Sequence, residues 1–198
     1  MNKEFDYIVI GAGIAGCCLA YFLSKYSKSI LLIDRNSQVA FGASGAAGAF
    51  LSPLLGKPND FKDLVTKSLI FSTNFYKNLG EELVSNCGVC RIPKNEEDRD
   101  KFESYKPYMD FKYTQMDDGY FFEIGSQVTP SLICEKLTKD IEKKLSYNVI
   151  KLEQNENSTW IINDEICAKN IILTTGADVK HIKEDYFEIT TVKTGDSL

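Results

Sequence analysis

Gly11, Gly13 and Gly16 fall in the run Gly11-Ala-Gly13-Ile-Ala-Gly16, and a carboxylate, Asp34, follows 18 residues after the last of them. These residue types at this spacing suit a dinucleotide. The first glycine permits a tight turn, the second lets the backbone approach a pyrophosphate, and the third lets a helix pack closely on a strand. A helix starting there offers unsatisfied N–H groups and a partial positive charge to the phosphates. Asp34 can accept hydrogen bonds from ribose hydroxyls and would repel a 2′-phosphate. The plainer alternative is a glycine turn that only packs a helix on a strand. A second run of small residues, Ala43-Ser44-Gly45-Ala46-Ala47-Gly48, lies just behind Asp34-Arg35. Its backbone can run along an extended cofactor, and Ser44 can bond a phosphate or ribityl oxygen. That loop favours FAD over NAD, because a plain NAD unit would continue with a regular helix and a third strand.

The six cysteines are Cys17, Cys18, Cys87, Cys90, Cys134 and Cys167, and Cys87-Gly-Val-Cys90 is their only C-x-x-C. A redox pair would want its first cysteine at a helix start, and a zinc site would want a second pair. The lone His181 does not supply one. Reduced thiols of a cytoplasmic protein and no metal site are expected. No residue of these motifs is assigned to catalysis.

The elements that must position these residues read as an α/β fold. Tyr7–Ile10 and Ser29–Asp34 are β-branched or aliphatic runs of buried strands, and Ile14–Ser27 between them has Ile14, Cys17, Cys18, Tyr21 and Phe22 at helical spacing. Strand, helix and strand make a right-handed βαβ unit and a parallel sheet. A long helix is expected from Asn59 to Glu82 with Asn59 or Asp60 as its cap, and a short strand near Val89–Ile92. The charged run Lys94–Glu103 reads as a solvated helix or loop. Thr129-Pro130 starts another helix, which should carry Leu132, Ile133, Leu137, Ile141 and Leu145 inward and its lysines outward. Three short strands are expected near 148–152, 159–162 and 165–168, and a last buried strand at 171–176.

The 198 residues are 43% hydrophobic and 26% charged, the composition of a globular protein rather than a disordered or collagen-like one. A net charge of −5 lacks the overall positive field of a stand-alone nucleic-acid binder and leaves room only for a local basic patch. Tyr7 to Ser24 carries no charge, but its glycines mark a strand, turn and helix rather than a membrane span.

Gly11-Ala-Gly-Ile-Ala-Gly16, Asp34-Arg35, Gly42-Ala-Ser-Gly45 and Thr174-Thr-Gly-Ala177 together resemble the N-terminal part of the D-amino-acid-oxidase-like flavoprotein family, which includes glycine oxidase and sarcosine oxidase. Within that family, Gly42–Leu55 and Phe71-Ser-Thr-Asn-Phe-Tyr76 are most similar to the oxidase domain of the bifunctional enzymes that finish methylaminomethyl-thiouridine at the tRNA wobble position. The resemblance implies a Rossmann-like FAD-binding domain formed by residues 1–58 and 129–180, with an inserted, partial α+β substrate domain from 59–128 and 181–198. Carried over, Gly11, Gly13, Ile14, Ala15 and Gly16 would hold the FAD pyrophosphate, Asp34 the adenosine ribose, and Arg35 the adenine side. Ala43, Ser44, Gly45, Ala47 and Gly48 would line the path to the flavin, Val149 would touch adenine through its backbone, and Thr175-Gly176 would close over the cofactor. The implied reaction is oxidation of the C–N bond of an amino-acid-like amine, either a small molecule or modified tRNA, with a methyltransferase domain as a partner. The family's chains are longer, and this one lacks the Arg-Gly-Gln-type turn expected near Thr190–Leu198, so it reads as roughly the first half of an oxidase. The competing readings are a glycine or D-amino-acid oxidase and a non-catalytic flavin- or NAD-binding fragment.

Overall fold

The structure, a computed structural model, describes residues 4–46, 48–117 and 119–177. In chain order its elements begin with β1 (Glu4–Ile10), α1 (Ile14–Leu23), β2 (Ile30–Ile33), α2 (Ala43–Ala46), β3 (Phe50–Leu51), α3 (Asp60–Leu79), β4 (Val84–Ser85) and β5 (Val89–Arg91). They continue with α4 (Glu96–Tyr105), β6 (Thr114–Met116), β7 (Gly119–Phe122), β8 (Ser126–Val128), α5 (Pro130–Leu137), β9 (Glu142–Lys144), β10 (Leu152–Gln154), β11 (Trp160–Ile162) and β12 (Ile166–Leu173). The chain divides into two compact units, Met1–Ala47 with Pro130–Leu198, and Gly48–Thr129.

The first unit is built on one sheet in the order β10-β11-β12-β1-β2-β9. Strands β12, β1, β2 and β9 run parallel, and β10 and β11 are antiparallel additions. Strand β2 is buried along its whole length, as are Ile8, Val9 and Ile10 of β1, which is why both read as unbroken aliphatic runs. Helix α1 lays Gly16, Cys17 and Ala20 on the sheet, whereas Cys18, Tyr21 and Phe22, expected inside, are only half-buried. Small side chains win that face because helix and strand approach closely. The helix also ends at Leu23, short of Ser27, where the Ser24 hydroxyl donates back to the Tyr21 carbonyl at 2.7 Å and the Lys25 and Tyr26 N–H groups turn to the carbonyls three residues back.

Two further expectations change. The helix from Pro130 ends at Leu137, where Thr138 Oγ1 donates back to the Cys134 carbonyl at 2.8 Å and the Lys143 ammonium caps the carbonyls of Thr138 and Ile141. Residues 142–144, read as more helix, form β9 beside β2. Ile133, Leu137 and Ile141 are buried, but Leu132 is exposed. The strands expected at 165–168 and 171–176 are one strand, β12, which pairs antiparallel with β11 at its start and parallel with β1 along most of its length. Asn163 and Asp164, both at positive φ, are the central residues of the turn into it, closed by the Glu165 N–H on the Ile162 carbonyl at 3.0 Å.

The second unit holds two three-stranded sheets, β3-β8-β4 and β5-β7-β6. Phe102 of α4 packs with Tyr120 and Phe122 of β7 to make its core. Helix α3 begins where expected, with Asn59 Oδ1 accepting the Lys62 N–H at 3.0 Å. It buries Lys62, Leu69 and Thr73, while the apolar side chains of Phe61, Leu64 and Phe71 are exposed. Helix α4 is capped by Asn95, has Glu96, Glu97 and Asp98 in its first turn, and buries only Phe102, as a solvated helix should. Among the described residues no helix is long and apolar enough to cross a membrane.

Candidate cofactor site

Strand β1 lies between β12 and β2, and the chain leaves it for the β2 side, so a crevice opens beyond the carboxyl ends of β1 and β12. The glycine turn occupies that crevice. Gly11 sits at φ +110°, donates its N–H to the Ile33 carbonyl at 2.8 Å, and would place a Cβ 2.4 Å from the Thr174 oxygen. Gly13 is the extended N-cap of α1, and a Cβ there would meet Ser44 Oγ at 3.1 Å. Gly16 faces back onto the turn, where a Cβ would lie 1.9 Å from the Gly11 oxygen. Ile14 donates its N–H to Ser44 Oγ at 3.0 Å, so a hydroxyl already stands at the helix start, and the next residue, Ala15, is exposed.

Asp34 closes the adjacent wall. Its Oδ2 accepts the Ala12 N–H at 2.6 Å, and its Oδ1 accepts both N–H groups of Asn36, backbone at 2.8 Å and Nδ2 at 2.9 Å. The Ala12 carbonyl in turn accepts the Ala40 N–H at 2.8 Å and the Cys17 thiol at 3.4 Å. The neighbouring Cys134 thiol, together with burial, pushes the Cys17 thiol well above the usual range. It is therefore a neutral donor beneath the turn. From the far end of the chain, Ser146 and Tyr147 donate their N–H groups to the carbonyls of Asn36 and Asp34 at 2.8 and 2.9 Å, which brings Val149 to the same wall. Burial, with the Glu165 carboxylate beside it, pushes the Tyr147 hydroxyl up to about 12. Thr174 completes the crevice, its Oγ1 donating toward the carbonyls of Ile10 and Gly11 at 3.0 and 2.8 Å.

The crevice holds a cavity of about 290 Å³. Of the residues singled out in the sequence, Gly11, Gly13, Asp34, Arg35, Ala43, Ser44, Val149, Thr175 and Gly176 line it. Gly16 packs the helix rather than facing the cavity. Gly45 does similar work in the second loop, where a Cβ would lie 2.1 Å from the Ala40 oxygen. Gly48 belongs to the second unit and accepts a bond from Gln127 Nε2 at 3.3 Å. Ala47 lies outside the described residues, as do His181 and the 181–198 segment. The sequence reading passed over Asn36, Phe41 and Tyr147 on the cavity wall and the anchoring role of Thr174. An Asx turn at Asp34-Arg35-Asn36 was the one local signal available for Asn36. Cys87 and Cys90 are exposed in the second unit, away from a helix start, and all six cysteines are free.

A parallel sheet with a glycine turn at its switch point and a carboxylate at the end of the next strand defines a dinucleotide-binding α/β protein. Residues 6–194 match the DAO family of FAD-dependent oxidoreductases, and the chain belongs to that family. It is similar to the tRNA 5-methylaminomethyl-2-thiouridine biosynthesis bifunctional protein MnmC of Campylobacter fetus subsp. fetus, with 23% identity over 78% of this chain and 26% of the relative. It also resembles glycine oxidase of Bacillus subtilis, at 33% identity over 45% of this chain and 23% of that protein. Among solved structures, the fold matches glycine oxidase from Geobacillus kaustophilus with a TM-score of 0.76 and 13% identity, covering 91% of this chain and 58% of that one. The FAD-bound L-α-glycerophosphate oxidase of Mycoplasma pneumoniae matches with a TM-score of 0.71 and 19% identity, covering 89% and 55%. The chain thus spans about a quarter of the MnmC protein and a little over half of the glycine oxidase chain.

The residues present fit the family's cofactor. The turn has bare backbone where a pyrophosphate must approach, a helix start behind it, and the Asp34 carboxylate on the adjacent wall for a ribose.

Proposed function

We propose that this chain is the FAD-binding portion of an oxidoreductase acting on the C–N bond of an amino-acid-like amine, with the carboxymethylaminomethyl group of tRNA wobble uridine as substrate. The observation that carries the cofactor assignment is the convergence of Gly11, Asp34 and Thr174 at the carboxyl ends of neighbouring parallel strands. Gly11, Gly13, Ile14 and Ala15 hold the pyrophosphate through backbone and helix start, and Gly16 serves it by letting the helix pack close to the turn. Asp34 takes the ribose, while Arg35 and the Val149 backbone bound the adenine. Ala43, Ser44 and Gly45 border the route to the flavin, and Thr175-Gly176 closes over it. Residues 1–58 with 129–180 form the FAD-binding domain, and 59–128 with 181–198 contribute to a substrate domain.

When bound, FAD supplies the two-electron oxidation of the C–N bond, after which the released imine hydrolyses to an amine and an oxoacid. The chain's own residues fix the cofactor's adenosine and pyrophosphate, and so set where its reactive ring can reach. Support for the tRNA substrate comes from the Gly42–Leu55 and Phe71–Tyr76 runs and from the similarity to MnmC over most of the chain. A methyltransferase domain is the matching partner. Six free thiols fit the reducing cytoplasm.

A small-molecule glycine or D-amino-acid oxidase is the second reading, favoured by the fold match to glycine oxidase. The test is FAD titration of the purified chain, followed by nucleoside mass spectrometry of tRNA from cells with and without its gene. Flavin binding and loss of the aminomethyl nucleoside on deletion are expected. Unchanged nucleosides with glyoxylate formed from glycine would replace the tRNA substrate with the amino acid. Absence of FAD binding would remove the cofactor assignment.

A further inference from the structure

The Asp34 carboxylate is nearly saturated before any ligand arrives. A carboxylate offers about four lone-pair positions. The Ala12 N–H and the two Asn36 N–H groups take three of them. A ribose diol brings two O–H donors, so one is left to be received elsewhere on the wall.

The Asn36 side chain is built to receive it. A carboxylate only accepts hydrogen bonds, so the Asn36 amide must turn its nitrogen to Asp34, and its carbonyl Oδ1, diverging from the nitrogen at Cγ, is left directed away from the carboxylate. Among the described residues no donor reaches that oxygen. Asn36 lines the cavity beside Asp34 and is half-buried there. Its backbone is fixed on both sides, by its own N–H on Asp34 Oδ1 at 2.8 Å and by the Ser146 N–H on its carbonyl at 2.8 Å. An acceptor with no partner among the described residues, held beside a nearly saturated carboxylate, is placed for the second hydroxyl of the same diol.

We propose that Asn36 is a ribose-binding residue, with Asp34 Oδ2 taking one hydroxyl of the adenosine ribose and Asn36 Oδ1 the other. This rests on the FAD assignment above. It also gives Asn36 a second task, because its Nδ2 aligns the carboxylate.

ADP, 2′-deoxy-ADP and 3′-deoxy-ADP, which present the adenosine end alone, are titrated calorimetrically into the full chain and into Asn36→Ala, with thermal melts as a control of folding. The wild-type chain should prefer ADP over both deoxy analogues. In Asn36→Ala, ADP should bind about threefold to tenfold more weakly. The preference over one analogue should fall to about one while the preference over the other persists. A purely structural role for Asn36 would weaken all three nucleotides by the same factor and overturn the proposal. So would a wild-type chain indifferent to the loss of either hydroxyl, a result that needs no variant. A wild-type chain that binds neither ADP nor FAD would overturn the cofactor assignment itself, and this proposal with it.

Discussion

A Cβ on Gly16 would lie 1.9 Å from the carbonyl oxygen of Gly11 and 2.6 Å from Thr174 Oγ1. The first turn of α1, the loop after β1 and the end of β12 therefore meet at a point that admits no side chain. Gly16→Ala should lower stability by more than about 2 kcal/mol, because the nearest partner is a backbone carbonyl that cannot rotate away. Gly56→Ala, where a Cβ meets nothing within 4 Å, should change it by no more than about 0.5 kcal/mol. Urea denaturation of the pair decides; equal midpoints would remove the close-packing role of Gly16.

Asp34 links the glycine turn to the ribose wall through charge-assisted bonds. Replacing it with alanine leaves the Ala12 N–H without its acceptor and should weaken FAD binding about tenfold to 100-fold, at about 1.5–3 kcal/mol for a bond to a charged group. Quenching of free flavin fluorescence reads this directly, and an unchanged dissociation constant would place the adenosine elsewhere.

Tyr147 gives the first unit an alkaline limit. Its phenol is raised to about 12 in the folded chain from an unfolded value near 10. The neutral form is thus favoured by folding, and its contribution is complete below about pH 10 and lost as pH rises toward 12. Tyr147→Phe should flatten the fall in melting temperature over that interval. An identical alkaline limb in both proteins would show that the hydroxyl is not buried.

Thiol reactivity should sort by depth. Cys87 and Cys90 are exposed and should be alkylated first, whereas Cys17 and Cys134 are fully buried and should react only on unfolding. Peptide mapping after brief iodoacetamide treatment gives the order, and early labelling of Cys134 would contradict the packing of α5 on α1.

The second unit holds an almost fully buried ammonium, Lys62, 3.0 Å from Asp110 and bonded to the Tyr108 carbonyl. Asp110→Ala should cost about 1–3 kcal/mol, since Lys62 loses its counter-ion and keeps only the Tyr108 carbonyl, and Lys62→Met in the same background should restore part of that. Denaturant melts of the single and double variants test it. Additive losses would mean the pair is not coupled.

The glycine turn was legible because its chemistry dictates residue types, and Asp34 because it ends an aliphatic strand at the required distance. Strand β9 was not, since its Glu142-Lys143-Lys144 carries no apolar alternation and owes its pairing to β2. Strand β12 was read as two pieces because Lys169-Asn170 interrupts it. Both side chains are satisfied from β1, with Lys169 Nζ on Asp6 Oδ1 at 2.7 Å and Asn170 Nδ2 on the Asp6 carbonyl at 3.0 Å. Local pattern cannot show a partner more than 160 positions away. Asn36 was passed over for a related reason. Its role depends on how many lone pairs of Asp34 other groups already occupy, and that count exists only in three dimensions.

The pairing of β1 with β12 also sets a timetable for the nascent chain. The strand that will sit in the middle of the sheet leaves the ribosome first, and Thr174, which closes the cavity over Gly11, follows 163 positions later. Until then Ile8, Val9 and Ile10 have one of their two neighbouring strands missing. Contacts of such long sequence separation form slowly. The cavity over Gly11 is therefore complete only once β12 has paired with β1, which makes the nucleotide site a late product of folding.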